Sequence, residues 1–377
     1  MNFIPYGKQC IEQDDIDAVV QTLQSDFLTT GPKVKEFEDD LSRYCDATYC
    51  MAVSNGTAAL HLASLLLLEE GDKVLTTPNS FLATSNSILY AGAKPLFVDI
   101  AEDGNIDLDL CEEKLKEDPT IKAIYAVAFS GKMIDQDKLR RLKKNYNIKI
   151  LEDNAHAIGA ISDGIKAGSC TNSDVSIFSF HPVKHLTTAE GGAITTNSKE
   201  LYEKLLVLRN HGMVKTPDMK PWEYEMRELG FNYRITDIQC ALGISQLKKL
   251  PSFVQRRFEI AKEYDKVFQN TPIKPLYTFD GTSSYHLYVV RVDFTQLKIS
   301  KVELFNKMRE KKIGLQLHYI PINKQPYYKK LGYGDESTPN MDRYYEECFS
   351  LPLYPLLSDE EQGYVIENLI EVLKNGR

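Results

Sequence analysis

Short apolar runs alternate with longer amphipathic segments over residues 50–200. The apolar runs predict strands over residues 74–76, 96–99, 121–128, 148–151, 175–180 and 193–196. The longer segments predict helices over residues 58–69, 82–90, 135–145 and 199–209. Several strands are apolar on both faces, which indicates a mostly parallel sheet covered by helices on each side. We therefore predict an α/β fold whose ligands bind at the carboxyl ends of the strands.

The pattern changes in the last third of the chain. Residues 235–268 fit one long helix, or two helices interrupted around Pro251. A strand over residues 285–293 and an amphipathic helix over residues 301–312 predict a smaller α+β unit. Because 377 residues exceed the usual size of one domain, we expect two. They are a large domain over residues 1–250, which includes the N-terminal segment, and a small C-terminal domain over residues 251–377.

Composition and charge narrow the classes of function. A net charge of −8 argues against non-specific nucleic-acid binding, which needs a basic face. The longest apolar run, residues 60–68, is about half the length of a membrane span. Residues 1–8 lack the features of a signal peptide. Seven scattered cysteines without a CxxC pair predict reduced thiols, no metal site and a cytoplasmic protein.

The first motif with chemical content is SNGTAAL at residues 54–60, which runs directly into an apolar helix. Small residues at a helix N-terminus let backbone N–H groups approach a phosphate, and the Thr57 hydroxyl adds a donor. The same pattern is typical of a plain helix cap, which is the favoured interpretation of this motif taken alone.

The second motif is KILEDNAHA at residues 149–157. An apolar strand ends there in two carboxylates, and an imidazole follows three positions after Asp153. A carboxylate in this position can stabilise a protonated ring nitrogen, as the acidic partner does in pyridoxal phosphate (PLP) sites. The alternatives are a helix-capping Asp153 with a packed His156, or a Ser/His/Asp hydrolase, although the chain has no GxSxG elbow.

The third motif is FSFHPVKHLTTAEGG at residues 178–192, which contains Lys184. Lysines usually stay on solvated faces, because burying an unpaired ammonium is costly. In an apolar, glycine-flanked setting the lysine pKa tends to fall, which makes the amine a nucleophile for carbonyl compounds. This string alone fits a surface lysine equally well. Ser179, five residues earlier, could reach the same phosphate as Thr57.

Taken together, the three motifs narrow the chemistry. The chain has no Walker loop and no GxGxxG fingerprint, so the common nucleotide sites are missing. A phosphate loop, an acid and a lysine, in that order, form the minimal set for PLP. Two further polar clusters, RNHG at residues 209–212 and FNYR at residues 231–234, could face a ligand or be merely solvated.

With these motifs the chain resembles the DegT/DnrJ/EryC1/StrS family of PLP-dependent sugar aminotransferases, which act on nucleotide-linked keto sugars. The resemblance covers almost the whole chain and is carried by FLTTGP at residues 27–32, NGTAAL at 55–60, EDNAHA at 152–157, RNHG at 209–212, NYR at 232–234, HYIP at 318–321 and SLPLYP at 350–355. It implies fold type I, the aspartate aminotransferase-like fold, with a large mixed, mostly parallel sheet domain and a smaller α+β C-terminal domain.

The resemblance also implies a substrate. The strings DGNID at residues 103–107, FSFHPVK at 178–184 and LGFNYR at 229–234 are similar to those of family members in pseudaminic acid biosynthesis. The implied reaction converts a UDP-linked 2-acetamido-4-keto-6-deoxy sugar into its 4-amino sugar. L-Glutamate is the implied amino donor.

Single residues receive roles from the same resemblance. It makes Lys184 the catalytic lysine that bonds to the cofactor, and Asp153 the partner of the pyridine nitrogen. His156 would lie beside the cofactor's 3-oxygen, and Phe81 would stack on its ring. These roles are implications of the family pattern and do not follow from spacing.

The cofactor phosphate and the substrate are assigned in the same way. Thr57, Ala58 and Ser179 would hold the phosphate. Asn232 would come from the second subunit of a homodimer that shares its active sites. The residues expected to line the sugar site are Tyr6, Thr29, Thr30, His318 and Tyr319.

Several alternatives remain at this point. Another sugar-nucleotide 3- or 4-aminotransferase of the family, acting on a dTDP- or GDP-linked sugar, would carry the same motifs. A PLP-dependent sugar dehydratase would have a histidine in place of the lysine, whereas Lys184 is present. A scaffold that keeps only the fold is disfavoured by the intact motifs. A transaminase of plain amino acids would need an arginine for the α-carboxylate in the small domain, and the sequence offers no clear candidate.

Overall fold

The computed structural model describes residues 2–374. Its central element is a seven-stranded sheet with helices on both faces. The strands are β1 Tyr49–Val53, β2 Lys73–Thr76, β3 Lys94–Phe97, β4 Ile121–Val127, β5 Lys149–Asp153, β6 Ile161–Ser162, β7 Ile165–Lys166, β8 Val175–Ser179, β9 Gly192–Thr196, β10 Met213–Val214, β11 Glu225–Met226, β12 Lys274–Pro275, β13 Tyr288–Arg291 and β14 Cys348–Leu351. The helices are α1 Gln13–Leu23, α2 Pro32–Cys45, α3 Gly56–Leu67, α4 Leu82–Tyr90, α5 Leu108–Glu117, α6 Gln136–Tyr146, α7 Lys199–Arg209, α8 Asp237–Phe268, α9 Lys301–Glu310, α10 Pro326–Lys330, α11 Pro339–Glu347 and α12 Asp359–Lys374.

The strand order of the large sheet is β1-β9-β8-β5-β4-β2-β3. All neighbouring pairs are parallel except the two that involve β9, which runs against both β1 and β8. The carboxyl ends of six strands therefore lie at one edge. The predicted mostly parallel α/β fold is confirmed.

Apolar side chains on both faces explain why the central strands are covered on each side. In β4 and β5, Tyr125 and Leu151 belong to the cluster that packs against α3. Their chain neighbours Ile124 and Ile150 point to the other face and pack with residues of α5 and α6. This alternation follows from the two-residue period of a strand. It also explains why these strands could be recognised as continuous apolar runs.

The first strand was not among the predicted elements. Strand β1 has the sequence YCMAV, which is short and contains a single β-branched residue. It pairs only with β9, at the edge of the sheet. Its place is set by this tertiary pairing, which a local pattern does not contain.

The C-terminal part of the chain forms a second core. A three-stranded antiparallel sheet, β12-β13-β14, packs with α9, α12 and the second half of α8. Helix α8 continues through Pro251 for 32 residues, so the pattern corresponds to one helix. The division at residue 250 stays a prediction, and this position lies within α8. Ile4 also packs into the C-terminal core, which ties the N-terminal segment to it.

Asp237 joins the start of α8 to the start of α2. Its fully buried carboxylate accepts the backbone N–H groups of Gly31 at 2.7 Å and Lys33 at 2.9 Å. Helix α2 begins after Gly31, which has no side chain to cap it. Asp237 therefore supplies the cap from more than 200 positions away, and its negative charge lies at the positive end of the helix dipole.

We expect Asp237→Ala to lower the free energy of unfolding by about 2–3 kcal/mol, because two donors to a charged acceptor lose their partner. Urea denaturation followed by circular dichroism measures the change. Asp137→Ala is the matched control, since Asp137 lies in the first turn of α6 and is exposed, and its effect should stay within about 0.5 kcal/mol. Equal stability losses in the two variants would contradict the capping role.

Candidate active site

A cavity of about 800 Å³ opens at the carboxyl edge of the large sheet. Val127, Asp153 and Ser179, the last residues of β4, β5 and β8, line its floor. Residues 316–319 of the C-terminal part form another wall. The cavity therefore lies where parallel α/β sheets bind ligands, and the C-terminal part of the chain contributes to its lining.

One end of the cavity is an anion-binding cradle at the N-terminus of α3. The Asn55 side chain caps this helix by accepting the Ala58 N–H at 2.8 Å, whereas the N–H groups of Gly56 and Thr57 have no acceptor inside the helix. Ser179 lies opposite, so close that a Cβ on Gly56 would be 2.9 Å from the Ser179 Cβ. Glycine permits this approach, which brings a hydroxyl and the positive end of a helix dipole to one place.

Asp153 provides a buried carboxylate in the middle of the cavity floor. Its Oδ2 accepts the Thr84 hydroxyl at 2.6 Å, and its Oδ1 accepts the Ala155 N–H at 3.1 Å. Burial raises the pKa of Asp153, while these hydrogen bonds and the positive charge of Lys184 oppose the rise. The donors thus favour the ionised form in a place that would otherwise disfavour it.

Lys184 lies in the turn after β8, where its backbone N–H bonds to the His181 carbonyl at 2.9 Å. Among residues 2–374, no hydrogen bond or ion pair holds its ammonium group. Desolvation lowers the pKa of Lys184 to about 8, although the Asp153 charge acts in the opposite direction. A substantial fraction of the amine is therefore neutral near physiological pH, as a nucleophile requires.

His156 and Tyr319 close the side of the cavity next to Lys184. The Tyr319 hydroxyl lies 3.2 Å from His156 Nε2, whereas His156 Nδ1 is buried without a partner among the described residues. Burial lowers the pKa of His156 well below its usual value, so the ring is neutral. His318 is held by the Ser350 hydroxyl, 2.8 Å from its Nδ1, and burial lowers its pKa to about 3.

Two more buried histidines lie behind Lys184. The ring centroid of His286 is 4.3 Å from that of His156 and 5.6 Å from that of His185. His185 Nε2 lies 3.0 Å from the Ser284 carbonyl oxygen, which only accepts, so this nitrogen carries the proton. Burial lowers the pKa of both rings well below the usual value. Uncharged imidazoles thus surround the lysine on this side.

The cavity brings together most of the residues that the sequence singled out. Asn232, in contrast, is exposed and pairs with Asn210 outside the lining. Thr29 pairs with Thr236, and Thr30 borders a different pocket. The predicted residues that line the cavity are Tyr6, Thr57, Ala58, Phe81, Asp153, His156, Ser179, Lys184, His318 and Tyr319.

Other lining residues were not predicted. Thr84 contacts Asp153 from α4, and its only sequence signal is the hydroxyl-rich string NSFLATSNS at residues 79–87. Tyr233 and Gln316 also line the cavity. Tyr233 belongs to the string FNYR, for which the sequence left a ligand-facing and a solvated position open. Gln316 lies two positions before the string HYIP, so a wider window around that string would have included it.

The described part of the chain shows neither a candidate metal site nor a candidate membrane-spanning helix. Within residues 2–374, no group of three or more His, Cys, Asp or Glu side chains is arranged to hold a metal ion. No helix in this span is long and apolar enough to cross a bilayer. The seven cysteines are unpaired and buried.

These side chains fit PLP. The cradle at Gly56 and Ser179 suits a phosphate. The partly neutral amine of Lys184 suits an aldehyde, and the Asp153 carboxylate suits a protonated pyridine nitrogen. The partnerless Nδ1 of His156 leaves a polar atom for a ligand to satisfy. The fold and this set of residues define a PLP-dependent enzyme of fold type I.

Similarity to known proteins narrows the class. The sequence pattern of the DegT/DnrJ/EryC1/StrS aminotransferase family matches residues 9–370. The chain is 41% identical over 374 residues to the UDP-4-amino-4,6-dideoxy-N-acetyl-beta-L-altrosamine transaminase of Campylobacter jejuni, covering 98% of each chain. It superposes on Helicobacter pylori PseC, an aminotransferase of pseudaminic acid biosynthesis, with TM-score 0.94 and 32% identity, covering 99% of this chain and 100% of that one.

A second similar structure is named for the bound form of the cofactor. It is the PLP-form of the Streptococcus pneumoniae protein Spr1654, named a sugar aminotransferase, with TM-score 0.91, 33% identity and 99% coverage of each chain. The chain belongs to the DegT/DnrJ/EryC1/StrS aminotransferase family. It is a PLP-dependent aminotransferase, and the predicted fold, cofactor and class of enzyme are confirmed.

We expect an amine-specific reagent such as acetic anhydride to modify Lys184 of the cofactor-free protein with half-maximal rate near pH 8. The neutral amine is the reactive form, and its fraction rises as the pH rises through the pKa. Peptide mass spectrometry measures the rate at each pH, with the exposed Lys144 in the same sample as reference. Addition of PLP should protect Lys184 and leave Lys144 unchanged. A Lys184 profile that coincides with that of Lys144 would contradict the desolvated amine.

Proposed function

We propose that this enzyme transfers the amino group of L-glutamate to C4 of a UDP-linked 2-acetamido-4-keto-6-deoxy sugar in pseudaminic acid biosynthesis. The observation that carries the proposal is the 41% identity over 98% of the chain to a relative named for this type of transamination. The similarity to the Helicobacter pylori enzyme, which is named for the same pathway, supports it.

The residues of the cavity have distinct proposed tasks. PLP supplies an electron sink when an amino acid loses its α-proton. Lys184 would hold the cofactor and then move the proton, for which a pKa of about 8 is well suited. Asp153 would keep the pyridine nitrogen protonated. The phosphate would be held by Thr57, Ala58 and Ser179.

The remaining cavity wall would face the ring of the cofactor and the sugar. Phe81 is 60% exposed at the mouth of the cavity and would stack on the cofactor ring. His156 would lie beside the cofactor's 3-oxygen, because its Nδ1 lacks a partner within the described residues. Tyr6, His318 and Tyr319 would contact the sugar, since they line the cavity from the side of the C-terminal core.

We expect the enzyme, with PLP and L-glutamate, to aminate the UDP-linked 2-acetamido-4-keto-6-deoxy sugar at least about tenfold faster than dTDP- or GDP-linked 4-keto sugars, because contacts to the nucleotide and the 2-acetamido group add to transition-state binding. Mass spectrometry of the sugar products measures the rates. Faster amination of a dTDP- or GDP-linked sugar would contradict the proposed substrate and identify another sugar-nucleotide aminotransferase of the family. Dehydration without amination would identify a dehydratase.

Two variants provide controls for this assay. Lys184→Ala should reduce turnover by at least about three orders of magnitude and remove the visible absorbance of covalently held cofactor. Lys144→Ala removes an exposed lysine of α6 and should leave both unchanged. Full transamination by the Lys184 variant would exclude this lysine as the catalytic residue.

We further propose a homodimer with shared active sites. Ile16, Val20, Leu23 and Phe27 recur every three or four positions along α1 and beyond it, and each is 44–54% exposed. Exposed apolar stripes of this kind mark protein interfaces. A second exposed apolar group surrounds the β10–β11 hairpin; its members are Trp222, Tyr224, Met226 and Leu229.

The dimer would explain the residues outside the cavity. Asn232 is close in sequence to the exposed hairpin group, so it would reach the cavity of the partner subunit. Thr29 and Thr30 follow the exposed Phe27 and would reach it in the same way. Two subunits would then be needed to complete each site.

Active-site complementation tests this dimer. We expect Lys184→Ala and Asn232→Ala to be poorly active alone, and their mixture after subunit exchange to recover up to about a quarter of wild-type activity. Random pairing makes about half of the molecules mixed dimers, and each has one intact site out of two. A mixture of Lys184→Ala with Asp153→Asn is the control, because both changes affect the same cavity and no intact site can form. No recovery in the first mixture would contradict shared sites.

A cytoplasmic location is also proposed. All seven cysteines are unpaired and buried. Free thiols are typical of a reducing compartment. Export would expose them to oxidation, although their burial would slow it.

A further inference from the structure

Two hydroxyl groups, one in the first turn of α4 and one just before this helix, lead to Asp153. The Thr84 hydroxyl lies 2.6 Å from Asp153 Oδ2, and the Ser80 hydroxyl lies 2.9 Å from that of Thr84. All three side chains are at most 5% exposed. Bulk solvent therefore has little access to these contacts, and each hydroxyl has a defined neighbour.

The direction of donation follows from the chemistry of the last acceptor. An ionised carboxylate only accepts, so the Thr84 hydroxyl must donate its proton to Asp153. The oxygen of Thr84 then accepts the proton of Ser80. A chain of hydroxyls with one polarity strengthens the final bond to the carboxylate.

The position of Thr84 adds to this effect. Thr84 is the third residue of α4, whose first turn carries the positive end of the helix dipole. Asp153 Oδ1 is held by the Ala155 N–H at 3.1 Å. Both carboxylate oxygens are therefore fixed by donors, and the carboxylate cannot rotate without losing one of them.

Few other groups influence the charge of Asp153. Lys184 favours its ionised form, and burial disfavours it. Tyr319 interacts with it electrostatically as a neutral phenol whose pKa is raised by burial. His156 is neutral, because burial lowers its pKa. Of the two neutral donors to this carboxylate, the Thr84 hydroxyl at 2.6 Å is closer than the Ala155 N–H at 3.1 Å.

We propose that Thr84 is a positioning residue that keeps Asp153 ionised and oriented toward the cofactor's ring nitrogen, with Ser80 fixing the direction of the Thr84 hydroxyl. The inference rests on the proposed role of Asp153. It concerns the carboxylate through which the ring nitrogen is held, and Thr84 itself need not touch the cofactor.

The test is the dissociation constant of PLP measured against pH by ultrafiltration. Thr84→Val keeps the shape of the side chain and removes the donor. We expect the acid-side loss of PLP affinity to move up by about one pH unit, so that binding is about tenfold weaker below the midpoints and converges with wild type at alkaline pH. Thr84→Ser restores the donor and should restore the wild-type midpoint.

A matched control separates this effect from general damage. Thr76 is equally buried, and its hydroxyl donates to the Tyr125 carbonyl at 3.2 Å, away from the cavity lining. Thr76→Val should keep the wild-type midpoint. Ser80→Ala should raise the midpoint by less than Thr84→Val does. If Thr84→Val does not fold, Ser80→Ala replaces it in the test. An unchanged midpoint in the folded Thr84 or Ser80 variant overturns the inference.

Asp153→Asn tests the proposed role of Asp153 separately from the role of Thr84. It removes the titrating group, so the acid-side transition assigned to Asp153 should disappear. If the transition persists in Asp153→Asn, the proposed role of Asp153 fails and the inference about Thr84 fails with it. If it disappears while Thr84→Val keeps the wild-type midpoint, the inference about Thr84 fails alone.

Discussion

The constraint on which the active site depends is the burial of the Asp153 carboxylate. A charge removed from water is costly unless donors and an opposite charge replace the lost solvation. In this protein Thr84, the Ala155 N–H and the nearby Lys184 take the place of water. The same desolvation lowers the pKa of Lys184. The same desolvation therefore acts on the pKa of both groups: it raises that of Asp153 and lowers that of Lys184.

The sheet explains how these groups come together. Asp153 and Ser179 end the neighbouring strands β5 and β8, so parallel pairing places them at the same edge. β9 returns antiparallel beside β8, and the turn between these two strands carries Lys184. The α3 N-terminus can approach Ser179 because residue 56 is glycine. These contacts between distant parts of the chain thus follow from the strand order and from the absence of a side chain on Gly56.

The sequence predicted what is encoded locally. The alternation of apolar runs with amphipathic segments was sufficient to predict a parallel α/β fold. The order of Thr57, Asp153 and Lys184 predicted PLP chemistry, because each motif follows a recognisable strand or precedes a recognisable helix. Thr84 could not be predicted in the same way, since a hydroxyl on a helix gives no local sign of a partner 69 positions away. The edge strand β1 was not predicted for a related reason, because its position depends on pairing with the distant strand β9.

Charge balance in the cavity is consistent with the proposed dimer. A cofactor phosphate carries close to two negative charges at neutral pH. Among the described residues that line the cavity, Lys184 is the one lysine or arginine, and it is assigned to the aldehyde carbon. His156 and His318 are neutral because burial lowers their pKa values. The α3 dipole supplies only about half a positive charge. A cradle built from one chain would therefore leave the phosphate incompletely neutralised, and further donors from the partner in the proposed dimer would complete the neutralisation.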